Sequence, residues 1–458
     1  MEYRTESDSL GEMKVPAGAL YGASTARAVE NFPISGRRLP RPLIAALGWI
    51  KQAAAEVNGA LGLLSPERAQ AIAAASAAVA RGEYDSEFPV DIYQTGSGTS
   101  SNMNANEVIA RLAGLALGGG ARVHPNDEVN RCQSSNDVFP SAVHAAVKGQ
   151  LERALAPALQ ELRDALAEKA DVFGDIIKSG RTHLQDAVPI TLGREFAGYA
   201  AQLDGALRRV AAAAEELGAV ALGGTAVGTG VNAHPEFAAR AVARFSALSG
   251  LALREADDRV AAQACPDALL GASAALRGTA VSLMKIANDI RWLASGPKAG
   301  IGELRLPAVQ PGSSIMPGKI NPVIAESLLM ACAAAVGNDA AVAAAAQWSN
   351  FELHTMWPLV GDRVLESIAL LAAAAVNFAR RLVAGMEVDA ARCAELLAHN
   401  PSVAAVLAPV LGYDRVAEYV RAAAARGEPI LRALPDAPGE YEVAGERVPA
   451  QWLLGPHE

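Results

Sequence analysis

"LERALAPALQELRDALAEKA", residues 151–170, decides the fold class of this chain because its leucines recur at steps of three and four. That spacing places all of them on one face of an amphipathic helix. Pro157 lies inside the run and, because proline has no N–H group, should kink the helix or mark a break in it. The leucines concerned are Leu151, Leu155, Leu159, Leu162 and Leu166.

Long helical patterns of this kind fill most of the chain. The sequence is 51% hydrophobic but only 5% aromatic, so a core built from Ala, Leu and Val favours a mostly helical protein. Five long segments with short connections indicate an elongated helical bundle. After the first, we predict long helices at residues 192–217, 264–294, 322–346 and 358–384, and shorter ones at 41–61, at 66–81 and from about Ser101.

Composition and charge exclude several classes of function. The formal net charge of −9 argues against a nucleic acid or an anionic membrane as the main partner. The chain opens with a polar, acidic stretch and no signal-peptide pattern, so we expect a cytoplasmic protein. The four cysteines are scattered and the seven histidines do not cluster with them, so we expect buried thiols, no metal and no cofactor.

Four short segments rich in polar residues, here called polar islands, interrupt the helical pattern, and two of them lie in the first third of the chain. The first, "TGSGTSSNMNANE" at residues 95–107, would serve as a turn and helix cap, yet its hydroxyls and amides beside a helix start also suit an anion. The second, "HPNDEVNRCQSSNDVFP" at residues 124–140, places Ser134, Ser135 and Asn136 before a helix. One of these three would suffice as a cap, so the other two are candidate ligand-binding groups.

Two more islands lie further along. "SGRTHLQDAVPIT", residues 179–191, places Thr182 and His183 between two long helices. A lone histidine is often structural, and on local grounds a structural and a functional role for His183 are equally supported. "PGSSIMPGKINP", residues 311–322, is a constrained, partly apolar loop. If a helix begins near Pro322, Glu326 lies one turn in, where it either reaches a histidine or merely favours the helix N-terminus.

Together the islands offer many neutral donors, one lysine and a possible histidine–carboxylate pair. That inventory suits binding a small polyanion and moving protons on it. No G-x-S-x-G elbow is present, which argues against nucleophilic hydrolysis.

These motifs resemble the class II fumarate hydratases of the fumarase/aspartase superfamily over nearly the whole chain. "GSSIMPGKINP", "TGSGTSSNMNANEV", "GRTHLQDAVPITLG" and "GGTAVGTGVNAHPE" carry the resemblance. His183 and Gly318 match the fumarase pattern at positions where aspartases have Gln and Ala. "FPVDIYQ", "YGASTARAVENF" and "NPVIAE" look more like aspartase, but these stretches are mostly scaffold.

The resemblance implies a central five-helix bundle flanked by two smaller domains. We accordingly expect an N-terminal domain at residues 1–134, the bundle at 135–389 and a small helical C-terminal domain at 390–458. In this family four chains pack their bundles into one helical core, and each active site takes loops from three chains. The segment "HNPSVAAVLAP", residues 399–409, departs from the family pattern and leaves the packing of the C-terminal domain open.

The resemblance also implies a reaction and roles for residues: the reversible hydration of fumarate to L-malate. Ser313 would remove the C3 proton of malate, and His183, paired with Glu326, would handle the proton on the departing or attacking water. A mobile loop would carry Ser313. The implied substrate-binding residues are Ser97, Thr99, Ser134, Ser135, Asn136, Thr182, Lys319 and Asn321, and a secondary dicarboxylate site would involve His124, Asn126 and Asp127.

Two alternatives remain at this point. An aspartase-like C–N lyase would release fumarate from L-aspartate or from another substituted succinate. A catalytically silent structural protein is the other alternative, but it would have no need of the serine, lysine and histidine together.

Overall fold

The structure, a computed structural model, describes residues 2–433 and 440–454. Helices dominate it, which confirms the mostly α class. The helices are α1 (Ala23–Asn31), α2 (Arg41–Ala60), α3 (Pro66–Arg81), α4 (Thr99–Leu117), α5 (Ser135–Gln150), α6 (Ala156–Val172), α7 (Leu192–Glu216), α8 (Phe237–Ser249), α9 (Arg259–Ala264), α10 (Asp267–Leu293), α11 (Val323–Ala346), α12 (Trp357–Phe378), α13 (Ala390–His399), α14 (Ala408–Leu411), α15 (Tyr413–Arg426) and α16 (Ala450–Leu453).

The strands are short and form small sheets. They are β1 (Tyr3–Asp8), β2 (Gly11–Pro16), β3 (Ile177–Thr182), β4 (Gln185–Thr191), β5 (Ala219–Val220), β6 (Arg254–Glu255), β7 (Leu304–Arg305), β8 (Ser349–Asn350), β9 (Leu353–His354), β10 (Glu387–Val388), β11 (Leu431–Ala433), β12 (Glu440–Val443) and β13 (Glu446–Pro449). Antiparallel pairs form between β1 and β2, β3 and β4, β7 and β10, and β8 and β9; β5 and β6 pair in parallel; and β11, β12 and β13 form one antiparallel sheet.

Local sequence explains where the predicted helices begin and end. Helix α3 matches the prediction because the Ser65 side chain caps its first turn, and Gly82 ends it in the left-handed conformation that glycine adopts at no steric cost. Near Pro157 the chain leaves α geometry for a π turn at Leu151–Leu155. A π turn accommodates the hydrogen bond that proline cannot donate, so the predicted break is confirmed.

The chain divides into two compact units, and the long helices contribute to both. The first unit comprises Met1–Pro157, Arg208–Ala280 and Ala331–Ala372. In it, α2 packs against α3, α5 and α8, and buries residues such as Leu43, Leu47 and Ile50.

The second unit comprises Ala158–Leu207, Val281–Met330 and Ala373–Glu458. The β3–β4 hairpin packs there against α13 and against a 3-10 turn at Pro401–Leu407. A small apolar core beside it includes Leu397, Val403, Leu407 and Leu431. Strands β11–β13 were not expected in a helical C-terminal domain, and residues 434–439 and 455–458 of that predicted domain lie outside the described residues. The predicted division into three domains stays a prediction.

Helix α11 is strongly apolar along most of its length and has no distinct polar face. Among the described residues, α11 is the only individual helix that is long and apolar enough to cross a membrane, by length and composition alone. The bent pair of helical segments Ala390–His399 and Pro401–Leu411 meets the same criteria only when the two are taken together. Only 39% of its apolar window is buried within the chain, and Met330 is 68% exposed. A helix that is hydrophobic all round requires burial by some partner.

Candidate active site

The first polar island is a tight loop that leads into α4. Gly98 has a φ of 76°, and the Ser97 hydroxyl lies 2.8 Å from that of Thr99. At Gly96 a Cβ atom would stand 1.7 Å from the carbonyl oxygen of Thr355, so only glycine lets the loop approach that segment. The sequence therefore folds Ser97 and Thr99 onto the N-terminus of a helix, where N–H groups point outward.

Glu107, at the end of this island, has a structural task. Its carboxylate accepts hydrogen bonds from the N–H groups of Gly22, Ser24 and Thr25 and from the Thr25 hydroxyl, at 2.6–3.1 Å. It thus satisfies the free N–H groups at the start of α1.

The second island meets the first. Ser134 caps α5 by accepting from the Asn136 N–H, while the buried Asp137 accepts from the Ser134 N–H. Ser135 is not a cap: its hydroxyl accepts a hydrogen bond of 3.0 Å from the amide of Asn102, in α4. The two islands therefore form one polar surface at the N-termini of two helices.

Asn136 also has a partner other than the helix. Its side-chain amide donates to the carbonyl of Ala226 at 2.9 Å, in the "GGTAVGTG" loop. The carboxylate of Asp137 accepts from the N–H groups of Gly223 and Thr225 in that loop. Ser134, Ser135 and Asn136 are each partly exposed, so this surface remains accessible.

A buried lysine beneath these loops was missed by sequence reasoning. Lys51 of α2 is 0% exposed, and its ammonium donates to Asn130 Oδ1 at 2.8 Å and to Gln133 Oε1 at 2.9 Å. Burial lowers the pKa of Lys51 to about 7. The helical period would have found this residue, because Lys51 follows Ile44 and Leu47 on the buried face of α2.

His124, Asn126 and Asp127 also lie together. The His124 Nδ1 atom accepts from the N–H groups of Asn126 and Asp127 at 3.3 and 3.1 Å and so caps the π turn at Pro125–Val129. All three residues border solvent, and the Asp127 carboxylate lies 3.2 Å from the imidazole.

Thr182 and His183 lie between two long helices, as expected, at the tip of the β3–β4 hairpin, which was not predicted from the sequence. Thr182 pairs with Gln185, so His183 and Leu184 form a two-residue turn, and both are exposed. No hydrogen bond joins His183 to Glu326 within the part of the chain that the structure describes. The expected pairing is therefore not made within one chain.

The fourth island folds back on itself. The Gly312 N–H donates to the Lys319 carbonyl at 2.9 Å, and the Asn321 amide donates to the Gly312 carbonyl at 2.6 Å. A Cβ atom at Gly312 would stand 2.2 Å from the Lys319 oxygen, so this closure requires glycine.

The closed loop surrounds the Ser313 hydroxyl with backbone donors. Its Oγ accepts from the N–H groups of Ile315 and Met316, both at 3.2 Å. Two fixed N–H groups aimed at one oxygen stabilise negative charge on it.

Lys319, Asn321 and Glu326 border one open cleft of about 1310 Å³ in the second unit. Lys319 is exposed and has no ion pair among the described residues, and Glu326 lies in the first turn of α11. The cleft is therefore bordered by an ammonium, an amide and a carboxylate. This arrangement suits an anionic ligand whose protons are exchanged.

The chain is similar to known proteins over most of its length. A family model described as "Lyase" matches residues 11–337. The class II fumarate hydratase of Mycobacterium tuberculosis (strain H37Rv) is 52% identical over 422 residues, which are 92% of this chain and 88% of the relative. That of Corynebacterium glutamicum is 50% identical over 436 residues, 95% of this chain and 92% of the relative.

Solved structures show the same fold. The class II fumarase of Schistosoma mansoni superposes with a TM-score of 0.91 at 37% identity, covering 93% of this chain and 94% of that one. A Brucella melitensis protein described as fumarate lyase:delta crystallin superposes with a TM-score of 0.90 at 44% identity, with the same coverage. The resemblance found in the motifs is thus confirmed, and the chain belongs to the lyase family that includes the class II fumarate hydratases.

Proposed function

We propose that this protein catalyses the reversible hydration of fumarate to L-malate. The observation that carries the proposal is the Ser313 hydroxyl, which accepts two backbone N–H groups in a loop that also carries Lys319. A serine hydroxyl is too weak a base at neutral pH unless its oxyanion is stabilised, and these donors supply that stabilisation. The relatives named class II fumarate hydratase support the same reaction.

In the dehydration direction, the Ser313 oxyanion takes a proton from C3 of malate. The electron pair of that C–H bond moves into the adjacent carboxylate, which becomes an aci-carboxylate with added negative charge. Lys319 and Asn321 bind this group. One N–H of the Asn321 side-chain amide donates to the Gly312 carbonyl, and the other remains available to donate to the substrate.

The second half of the reaction breaks the C2–O bond. The electron pair returns from the aci-carboxylate to form the C2=C3 double bond as the C2–O bond breaks, and the hydroxyl leaves as water with a proton from His183. Glu326 orients the imidazole. The remaining substrate oxygens bind to Thr182 and to the polar surface of the first unit: Ser97, Thr99, Ser134, Ser135 and Asn136.

This proposal requires more than one chain. His183 and Glu326 are not hydrogen-bonded within one chain, and the exposed apolar faces of α11 require a partner. We therefore propose a homotetramer whose bundles bury α11 and whose active sites combine loops from three chains. We also propose a cytoplasmic location and assign His124, Asn126 and Asp127 to a secondary dicarboxylate site.

The test is the ultraviolet absorbance of fumarate, followed after addition of L-malate to the purified protein. We expect Ser313→Ala to lower kcat by at least about 10²-fold, the usual contribution of a general base. Ser314→Ala, at the exposed neighbouring hydroxyl, is the matched control and should retain activity. A kcat of Ser313→Ala within tenfold of the wild type would exclude Ser313 as the base.

A parallel assay with L-aspartate separates hydration from ammonia addition. Fumarate formed from L-aspartate but not from L-malate would establish the C–N lyase instead. Light scattering that shows a monomer in an active sample would overturn the shared-site arrangement.

A further inference from the structure

The turn that presents His183 is strained. His183 and Leu184 have φ values of 58° and 59°, in the left-handed region. A two-residue hairpin turn demands this conformation at both positions and normally recruits Asn or Gly for it. Each non-glycine residue in that region costs about 1 kcal/mol or more. The flanking strands must therefore be held firmly by other contacts.

The strands have a defect where such a contact is needed. The pairing register of β3 and β4 shifts between Ser179 and Gly180: Ser179 opposes Pro189, whereas Gly180 opposes Ala187. A bulge of this kind disrupts the ladder of backbone hydrogen bonds and changes the direction of the strand beyond it. The direction of the His183 tip therefore depends on how the bulge is fixed.

Asn400 lies at this defect and bonds to both strands. Its side-chain amide donates to Ser179 Oγ at 3.0 Å and to the Ala187 carbonyl at 2.8 Å, while its Oδ1 accepts from the Ser402 N–H at 2.8 Å. The residue is 0% exposed, so these bonds do not compete with water and are costly to break. Asn400 belongs to the 399–409 segment, whose packing the sequence left open.

An ion-pair cluster holds the same strand at its end. The Arg181 guanidinium donates two hydrogen bonds to the Glu303 carboxylate at 2.7 and 3.0 Å, and Glu303 is 0% exposed. Lys178 adds a second cation 3.3 Å from the same carboxylate. Lys178 and Arg181 lie on either side of the bulge in β3, so the remaining freedom of the hairpin lies in β4, which Asn400 holds at the Ala187 carbonyl.

We propose that Asn400 is a positioning residue for His183: the C-terminal segment fixes the β3–β4 bulge and thereby the direction of the catalytic imidazole. This inference rests on the proposed function only where it concerns turnover. The physical statement, that Asn400 rigidifies the His183 turn, is independent of the reaction.

The test is Asn400→Ser, which keeps an N-cap for the following 3-10 turn but is too short to bridge both strands. We expect kcat for L-malate to fall about 10- to 100-fold, because small displacements of a reacting group cost about that much. KM should stay within about threefold. Hydrogen–deuterium exchange of the peptide spanning residues 180–188 should accelerate at least about tenfold.

The matched control is Asn338→Ser. Asn338 is also buried and donates two side-chain hydrogen bonds, to Glu366 and Ser367, in the first unit. The Asn338→Ser variant should keep kcat within about twofold of the wild-type value and leave the exchange of residues 180–188 unchanged. If Asn400→Ser fails to fold, Ser179→Ala, which removes only the hydrogen bond between the Asn400 amide and Ser179 Oγ, should still accelerate that exchange measurably.

The outcomes separate the two proposals. Unchanged exchange at residues 180–188 in Asn400→Ser, or in Ser179→Ala when the first variant does not fold, would overturn the positioning role. Accelerated exchange with an unchanged kcat would also overturn it, because the bridge would then be structural only. A wild-type protein that never hydrates fumarate would refute the proposed function, while the exchange measurement would still decide whether Asn400 fixes the turn.

Discussion

Acid should destabilise this protein through a buried histidine, His354. Its side chain is 0% exposed, its Nδ1 lies 3.0 Å from the Ser349 hydroxyl, and its Nε2 has no partner among the described residues. The ring packs edge-on against Trp357 with 5.3 Å between centroids. Burial in these surroundings disfavours the imidazolium and lowers the pKa of His354 from 6.5 to about 4.

The shift sets both the sign and the size of the effect. The pKa of His354 is lower in the folded than in the unfolded state. The contribution of the neutral imidazole to the free energy of unfolding is therefore complete above pH 6.5 and is lost as the pH falls toward 4. Between about pH 7.5 and about pH 5 the loss amounts to about 2 kcal/mol, and the full shift corresponds to about 3 kcal/mol. Burial also lowers the pKa of His144, which adds a loss in the same direction.

The assay is urea unfolding at both pH values and at one fixed protein concentration. Between the two pH values, the free energy of unfolding of the wild type should fall by about 2 kcal/mol more than that of His354→Gln, whose side chain cannot be protonated in this range. His399→Gln, at an exposed histidine, should retain the pH dependence of the wild type. Equal losses in the wild type and His354→Gln would refute the assignment of this loss to His354.

Three further predictions follow from contacts near the site. Glu107→Gln should lower the free energy of unfolding by about 1–3 kcal/mol in urea at neutral pH, because an amide NH₂ would face N–H donors at the start of α1. Gly312→Ala should lower kcat by at least about tenfold, since its Cβ would stand 2.2 Å from the Lys319 oxygen; Gly18→Ala, with no atom near its Cβ, should not. Lys51→Met should raise KM for fumarate about tenfold in initial-rate assays, because the cation that fixes the amides under the second island is lost.

The helices were predicted well because their signals are local. The predicted helix at residues 66–81 is observed as Pro66–Arg81, and the one at 192–217 as Leu192–Glu216. Proline in the first turn, a serine cap and a terminal glycine act within a few residues, so the sequence carries them directly. The prediction at 264–294 was less accurate because α9 ends at Ala264 and α10 begins only at Asp267.

The β3–β4 hairpin was missed because its turn violates the usual sequence rule. A two-residue turn of this type is expected at Asn-Gly or Asp-Gly, whereas the chain has His183 and Leu184 there. Contacts from distant residues, Glu303 and Asn400, hold the strands that flank the turn. Tertiary contacts of this kind override local propensity and leave no trace in a short window.

The sequence by itself determined the helical class, the four polar islands and the family, because periodicity, caps and motif spacing are properties of short stretches. Only the tertiary structure decided which island residues act as caps, as Ser134 does, and that Ser313 Oγ receives two backbone N–H groups. It also revealed the buried Lys51 under the second island and the Asn400 bridge behind His183. Hydrogen bonds such as the one between Asn400 and Ser179, 221 positions apart, depend on how the elements pack, and packing is a property of the folded chain as a whole.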